Sequence, residues 1–398
     1  MAHSPALSVD APSAERRRRV DRLGAAVVTL AAIGLAAGPF ATLRPNRILD
    51  GTPIGLFDAL PRDVAAAVAA VVAAAACVAL LRTGAGARLT AGAAALAALV
   101  AAVGRAPGHL VAPGDVFGRV GPGWGWWLAA LAFALLAGDA LTRLRIGPGA
   151  RVMALGIAGL AAAGLIAGGA IDDLSIMKEY ASRPAAFWAE GRTHAALAFG
   201  AVAAALSIGV PLGLACHRWS RLATPTVAAL SALQTIPSIA LFALLIAPLG
   251  WIAAHVPGAA AIGVAGVGAA PAFVALTLYA LLPVASSVIG GLAGAPDDTL
   301  DAARGTGMTE RQILTSIKAP LAAPVFLAGL RVVTVQTIGL ATVAALIGGG
   351  GFGTFVFQGV GQTAIDLVLL GAAPTVAMAL AASVLLDAAA EAAGGRPR

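Results

Sequence analysis

Few side chains in this 398-residue sequence have the type and spacing for bond-making chemistry. The five histidines, His3, His109, His194, His217 and His255, are scattered without metal-ligand spacing, and no Ser/His/Asp or Cys/His grouping can be drawn. A Gly-x-x-x-x-Gly-Lys-Ser/Thr phosphate loop is absent, because Lys178 and Lys318 stand in other contexts. No catalytic residue and no metal site are therefore expected. What remains is a polar stretch, Asp297 to Pro320, set between two long apolar segments. Its chemistry is mechanical: a protrusion by which a soluble partner could push on a membrane protein that converts no energy itself.

The spacing inside that stretch describes two short helices and a corner. Thr309 with Gln312 three residues on makes a capping box, so a helix is expected from about Glu310 to Lys318, ending before Pro320. Upstream, Asp297 or Asp298 is expected to cap a first helix running through Arg304. Gly305 and Gly307 permit positive φ at the corner. Ala302 and Ala303 keep the first helix slim, and Ile313, Leu314 and Ile317 stripe the second.

The elements that must position this knob are membrane helices. The sequence is 59% hydrophobic and only 11% charged, with 49 glycines and a mean hydropathy of +0.90; a soluble domain would carry about a quarter charged residues. Continuously apolar runs of spanning length argue for helices and against a barrel. About ten spans are expected, with nine or eleven as alternatives, at about 23–43, 64–81, 87–104, 120–138, 152–171, 195–216, 225–250 (broken by Pro237 and Pro248), 270–292, 322–347 and 365–386. The first is read as an uncleaved anchor. Basic residues are retained on the cytoplasmic side. Arg16 to Arg19, Arg22, Arg82, Arg88, Arg143, Arg145, Arg151, Arg218, Arg221, Arg304, Arg311, Lys318, Arg396 and Arg398 then fall inside, and fewer fall outside, among them Arg44, Arg47, Arg62 and Arg105. Both termini and the knob are thus expected in the cytoplasm. The net charge of +7 is that inner-face bias; no basic stripe with interleaved aromatics suggests nucleic acid. Cys77 and Cys216 read as small packing residues without a disulfide.

By content the chain divides into a region at 1–190, with about five Ala- and Gly-rich spans, and a core at 191–391. Asp172 to Tyr180 reads as an outer amphipathic segment, a helix lying on the membrane surface, against neighbouring loops or against an external partner. Trp124, Trp126 and Trp127 read as an interfacial belt. The second half is richer in polar and helix-breaking groups at membrane depth, which are costly in lipid unless they face protein or water. Gln234, Pro237, Arg331, Gln336 and Gly351 are the candidate path residues. Arg331 could snorkel, pair or line a cavity; the glutamines could line a path or bond between helices.

Asp301-Ala302-Ala303, three residues, Gly307, nine residues, Ile317 and then Pro320 resemble the EAA loop of ABC importer permeases. In that family Glu-Ala-Ala, Gly and Ile-x-Leu-Pro form coupling helices that seat in the ATPase subunit. Asp301 replaces Glu and Ala319 replaces Leu, which shortens one polar reach and removes one apolar contact. The resemblance assigns coupling roles to Asp301, Ala302, Ala303, Arg304, Gly307, Met308, Ile313, Ile317 and Pro320. Asp172 to Tyr180, Gln234 to Phe242, Val335 to Gly339, Ala345 to Gly353 and Ile365 to Gly371 are similar to permeases of osmoprotectant importers, of the YehY-type branch.

That resemblance implies an all-α integral membrane protein whose C-terminal half has the five-helix core of type I (MetI-like) importers. It implies glycine betaine or a related quaternary amine as cargo, linked to osmotic stress. It also implies two ATPases carrying ATP and Mg, a second permease subunit in a homo- or heteromeric pair, and a periplasmic or lipid-anchored binding protein, in a bacterial inner membrane with its lipid. Two alternatives remain: an ABC permease for an amino acid such as methionine, and a secondary transporter driven by an ion gradient, for which acidic groups at mid-membrane are lacking.

Overall fold

A computed structural model describes residues 21–46 and 49–394. Arg16 to Arg19, Arg47, Arg396 and Arg398, on which the topology expectation partly rests, lie outside the described residues, as does His3. Among the described residues nine helices are long and apolar enough to cross a membrane, and Arg22–Ala37 is a shorter apolar helix. The chain divides into two compact units: one takes Ile166–Leu174 and the described residues up to Ile146, the other Gly147–Leu165 and the described residues from Ser175 onward. The division expected at 190 follows polarity, whereas these units follow packing.

The first unit holds α1 (Arg22–Ala32), strands β1 (Ala41–Arg44) and β2 (Thr52–Ile54), α2 (Leu56–Ala59), α3 (Arg62–Leu80), α4 (Ala85–Leu110), β3 (Arg119–Pro122) and α5 (Trp124–Leu144). One expectation needs correction here. The run at 23–43 is not one span: α1 widens into a π turn over Ile33–Ala37 and stops at Gly38, because Pro39 has no N–H to continue the ladder. Three short strands accompany the helices of this helical fold. The three strands form an antiparallel sheet in the order β2-β1-β3, pairing Thr42 with Pro53 and with Gly121.

An ion cluster around one buried arginine fastens the helices of this unit. Arg88 on α4 is 1% exposed. It pairs with Asp21 and, at 3.4 Å, with Asp139 on α5, and donates to the Ala79 carbonyl at 3.0 Å. Arg143 closes the cluster at 2.6 Å from Asp139. Burial alone would push the Asp21 carboxyl up. The Arg88 hydrogen bond and charge, the Leu23 N–H and Arg143 outweigh it and hold the group below its ordinary 3.8. A charge removed from water survives only when paired. Arg88→Ala is therefore expected to cost about 3 to 5 kcal/mol, read as a lowered unfolding temperature in detergent. Because the Asp21 value is depressed on folding, its stabilisation is complete at neutral pH and is lost only as pH falls below 3.8 through the folded value.

The second unit contains most of α6 (Pro148–Ala167), then α7 (Ser175–Ser182), α8 (Pro184–Arg218), α9 (Ser220–Thr235), α10 (Ser238–His255), α11 (Ala269–Ala293), α12 (Asp297–Gly305), α13 (Glu310–Ile313), α14 (Ala319–Ala341), α15 (Gly353–Gly361) and α16 (Ile365–Gly394). α11 lies between α8 and α14, and α14 packs on α16. Ala198, Ala201, Ala272, Ala275, Ala341 and Ala344 are buried around Phe242, Leu276 and Ile338. Such small residues let helix backbones approach closely where lipid supplies no hydrophobic drive. The segment expected on the outer surface becomes α7, whose Ile176 and Tyr180 pack with Phe187 against Phe352, Phe355 and Leu367.

The spans expected at 225–250 and 322–347 also change. The first is two helices, α9 and α10, broken at Ile236 and Pro237; Ile236 is extended, as a residue before proline prefers. The second ends at Ala341 and passes into a 3-10 turn over Val343–Ile347. Cys77 and Cys216 are both free thiols.

Candidate functional site

The polar stretch folds as a knob with an interior of its own. Ala295, Leu300, Ala303 and Ile313 are buried in it, and Met308 and Ile317 pack against them. Thr309 caps α13 in a full capping box: its side chain accepts the Gln312 N–H, and the Gln312 side chain accepts the Thr309 N–H at 2.8 Å. Gly307 turns the corner at φ +83°. Asp301 and Ala302 remain exposed. Arg304 bonds Asp301 at 3.2 Å and reaches Glu310 at 3.5 Å across the corner.

Three local expectations are corrected. Asp297 and Asp298 do not cap α12: Pro296 occupies the cap, its carbonyl taking the Thr299 and Leu300 N–H groups, while the two acids sit in the first turn, where negative charge suits the helix dipole. Gly305 is the last helical residue of α12, and the positive φ belongs to Gly307 alone of the two. The second helix does not stop before Pro320. The chain widens to a π turn over Leu314–Lys318 and continues into α14, so the missing proline N–H and the ring are absorbed without a break.

The knob gathers Asp301, Ala302, Ala303, Arg304, Gly307, Met308, Ile313 and Ile317, with Pro320 on the turn beyond. The path candidates are held separately. The Gln234 amide donates to the Tyr279 carbonyl at 2.8 Å, and the Tyr279 hydroxyl donates to the Ile236 carbonyl, so the break before Pro237 is bonded to α11. Arg331 donates to Asp387 at 2.6 Å; Arg151 reaches the same carboxylate at 3.4 Å and also pairs with Glu391. Gln336 is exposed on α14. The Gly351 N–H donates to Glu190 at 2.5 Å.

Several contributors had no signal in the sequence. Glu190, His217, Tyr279 and Glu391 gain their meaning from partners far along the chain. His217 Nε2 accepts from Lys318 at 3.0 Å. The buried His194 donates from Nε2 to the Ile338 carbonyl at 3.1 Å.

Residues 21–177 match the family described as ABC transporter permease YehY, N-terminal domain, and residues 196–397 match the binding-protein-dependent transport system inner membrane component. The osmoprotectant import permease protein OsmW of Salmonella typhimurium is 40% identical over 172 residues, 43% of this chain and 75% of that protein. The carnitine transport permease protein OpuCB of Listeria monocytogenes is 34% identical over 47% of this chain and 78% of its own length. The choline transport system permease protein OpuBB of Bacillus subtilis is 33% identical over 49% and 83%. A solved structure of the MetNI methionine ABC transporter, inward facing, is 20% identical, covers 52% of this chain and 94% of that one, and gives a TM-score of 0.45. By the match over 196–397 and these relatives, the chain belongs to the ABC transporter permeases, the inner-membrane components of binding-protein-dependent transport systems.

Proposed function

We propose that this permease is the transmembrane subunit of an ATP-driven importer for glycine betaine or a related quaternary-ammonium osmoprotectant. Relatives named for osmoprotectant, carnitine and choline transport support the cargo class. The observation that carries the mechanism is the knob: a capped, internally packed protrusion with an exposed acid and alanine, joined without interruption to α14. In this reading both termini and the knob face the cytoplasm of a bacterial cell. Two ATPase subunits, which bind ATP and Mg, receive Asp301, Ala302, Ala303, Arg304, Gly307, Met308, Ile313, Ile317 and Pro320. A second permease subunit, identical or different, completes the pair, and a periplasmic or lipid-anchored protein delivers the cargo.

A quaternary ammonium donates no hydrogen bond, so tight capture needs aromatic faces and a carboxylate. This chain has two tyrosines, and we assign affinity to the external binding protein. The path, lined in this reading by Gln234, Pro237, Arg331, Gln336 and Gly351, binds weakly and opens alternately as the ATPases close. The test is uptake into liposomes holding the permease, its genomic-neighbour ATPase and its binding protein, with radiolabelled glycine betaine, choline, carnitine and methionine. Uptake of a quaternary amine that needs ATP is the expected result. Transport of methionine alone, or uptake that follows a proton gradient without ATP, overturns it.

A further inference from the structure

α8 makes a polar contact near each of its two ends, one to the knob's root and one to the glycine-rich turn after α14. At one end, Lys318 in the π turn donates to His217 Nε2 at 3.0 Å. At the other, Glu190 accepts the Gly351 N–H at 2.5 Å. Gly350 and Gly351 there hold φ +73° and +85°, and a side chain on Gly351 would press against His194 Nδ1 at 3.1 Å. Between Glu190 and His217 the helix is continuous, a span of about 40 Å. Its two contacts join segments that α14 and the turn beyond it otherwise connect.

We propose that α8 is a tie rod between the knob and the glycine-rich turn, with His217 and Lys318 as the positioning pair at its inner joint. The inference rests on the importer reading above. An ammonium is donor-only, so the joint exists only while His217 Nε2 is unprotonated. The charge that acts on it is basic, Lys318 on the knob's root; the nearest charges along the chain, Arg218 at the end of α8 and Arg221 at the start of α9, are basic too. α11 carries no charged side chain, and α14 carries only Arg331, which is paired with Asp387. Protonation sets a cation against a cation, and the joint opens. Transport per ATP then falls as the inner pH drops.

The experiment measures substrate moved per ATP hydrolysed by the full complex in liposomes, with the inner pH stepped downward from the ordinary histidine value of about 6.5, because burial and the Lys318 charge lower the His217 value. Unaltered protein is expected to lose coupling across that range. His217→Gln, which accepts from Lys318 but does not titrate, stays coupled throughout. His217→Ala and Lys318→Ala fall about tenfold at every pH. Glu190→Ala falls likewise, and the His217→Ala/Glu190→Ala double variant falls no further than the worse single one. Full coupling in His217→Ala, a pH loss retained in His217→Gln, or additive losses in the double variant overturn the tie rod while leaving the importer reading intact. Unaltered complex that moves no substrate with ATP overturns both.

Discussion

Gly307→Val separates ATP hydrolysis from uptake: ATP turnover persists while substrate moved per ATP falls by about tenfold or more. Gly307 sits at φ +83°, and nothing lies within 4 Å of where its Cβ would be. The obstacle is therefore torsional and not steric. A left-handed backbone costs an ordinary residue about 1 to 2 kcal/mol, and a β-branched one is an outlier there. The elbow relaxes instead, and α13 swings relative to α12. Opening also strains the Arg304 to Glu310 reach across the corner. Asn tolerates this backbone region, so Gly307→Asn keeps most of its coupling. Val coupling as well as Gly, or Asn failing as badly as Val, removes the elbow from the mechanism.

Gly353→Ala has the larger structural effect. A Cβ on Gly353 would lie 1.8 Å from the Thr342 carbonyl oxygen and 3.0 Å from the Ala345 Cβ. The obstructing atom is backbone, held between α14 and the 3-10 turn that follows it, and cannot rotate aside. Overpacking of this kind costs about 3 kcal/mol, and α15 must shift away from the Thr342 carbonyl. The expected result is a lowered unfolding temperature and uptake reduced by tenfold or more at unchanged expression. Gly361→Ala, at the far end of α15 with nothing within 4 Å, serves as the control and leaves both readouts unchanged.

The knob was legible because its determinants are local. The Thr309 to Gln312 box is an i to i+3 contact, and the Gly307 corner depends on one dihedral. Where a neighbour competes, local reasoning slipped: Pro296 took the cap that Asp297 or Asp298 was expected to supply. The π turn before Pro320 gave no warning, since nothing in Leu314 to Lys318 marks a widened helix. The sheet was missed because its strands are three or four residues long and sit beside a span whose apolar character continued past Pro39. The family and its core were readable from spacing and resemblance, and the match over 196–397 agrees. The polar contacts that tie helices together were not. Arg331 to Asp387 joins residues 56 apart, and Glu190 to Gly351 joins residues 161 apart.

The uninterrupted run from Glu310 to Ala341 sets a gear ratio. It contains 32 residues, about 48 Å of helix, and the π turn over Leu314–Lys318 lies inside it without ending the helix. A rocking of about five degrees at the protruding end displaces the far end by about 4 Å, comparable to the width of a methyl group. On the proposed importer reading, a small stroke at the knob is thus magnified by length alone.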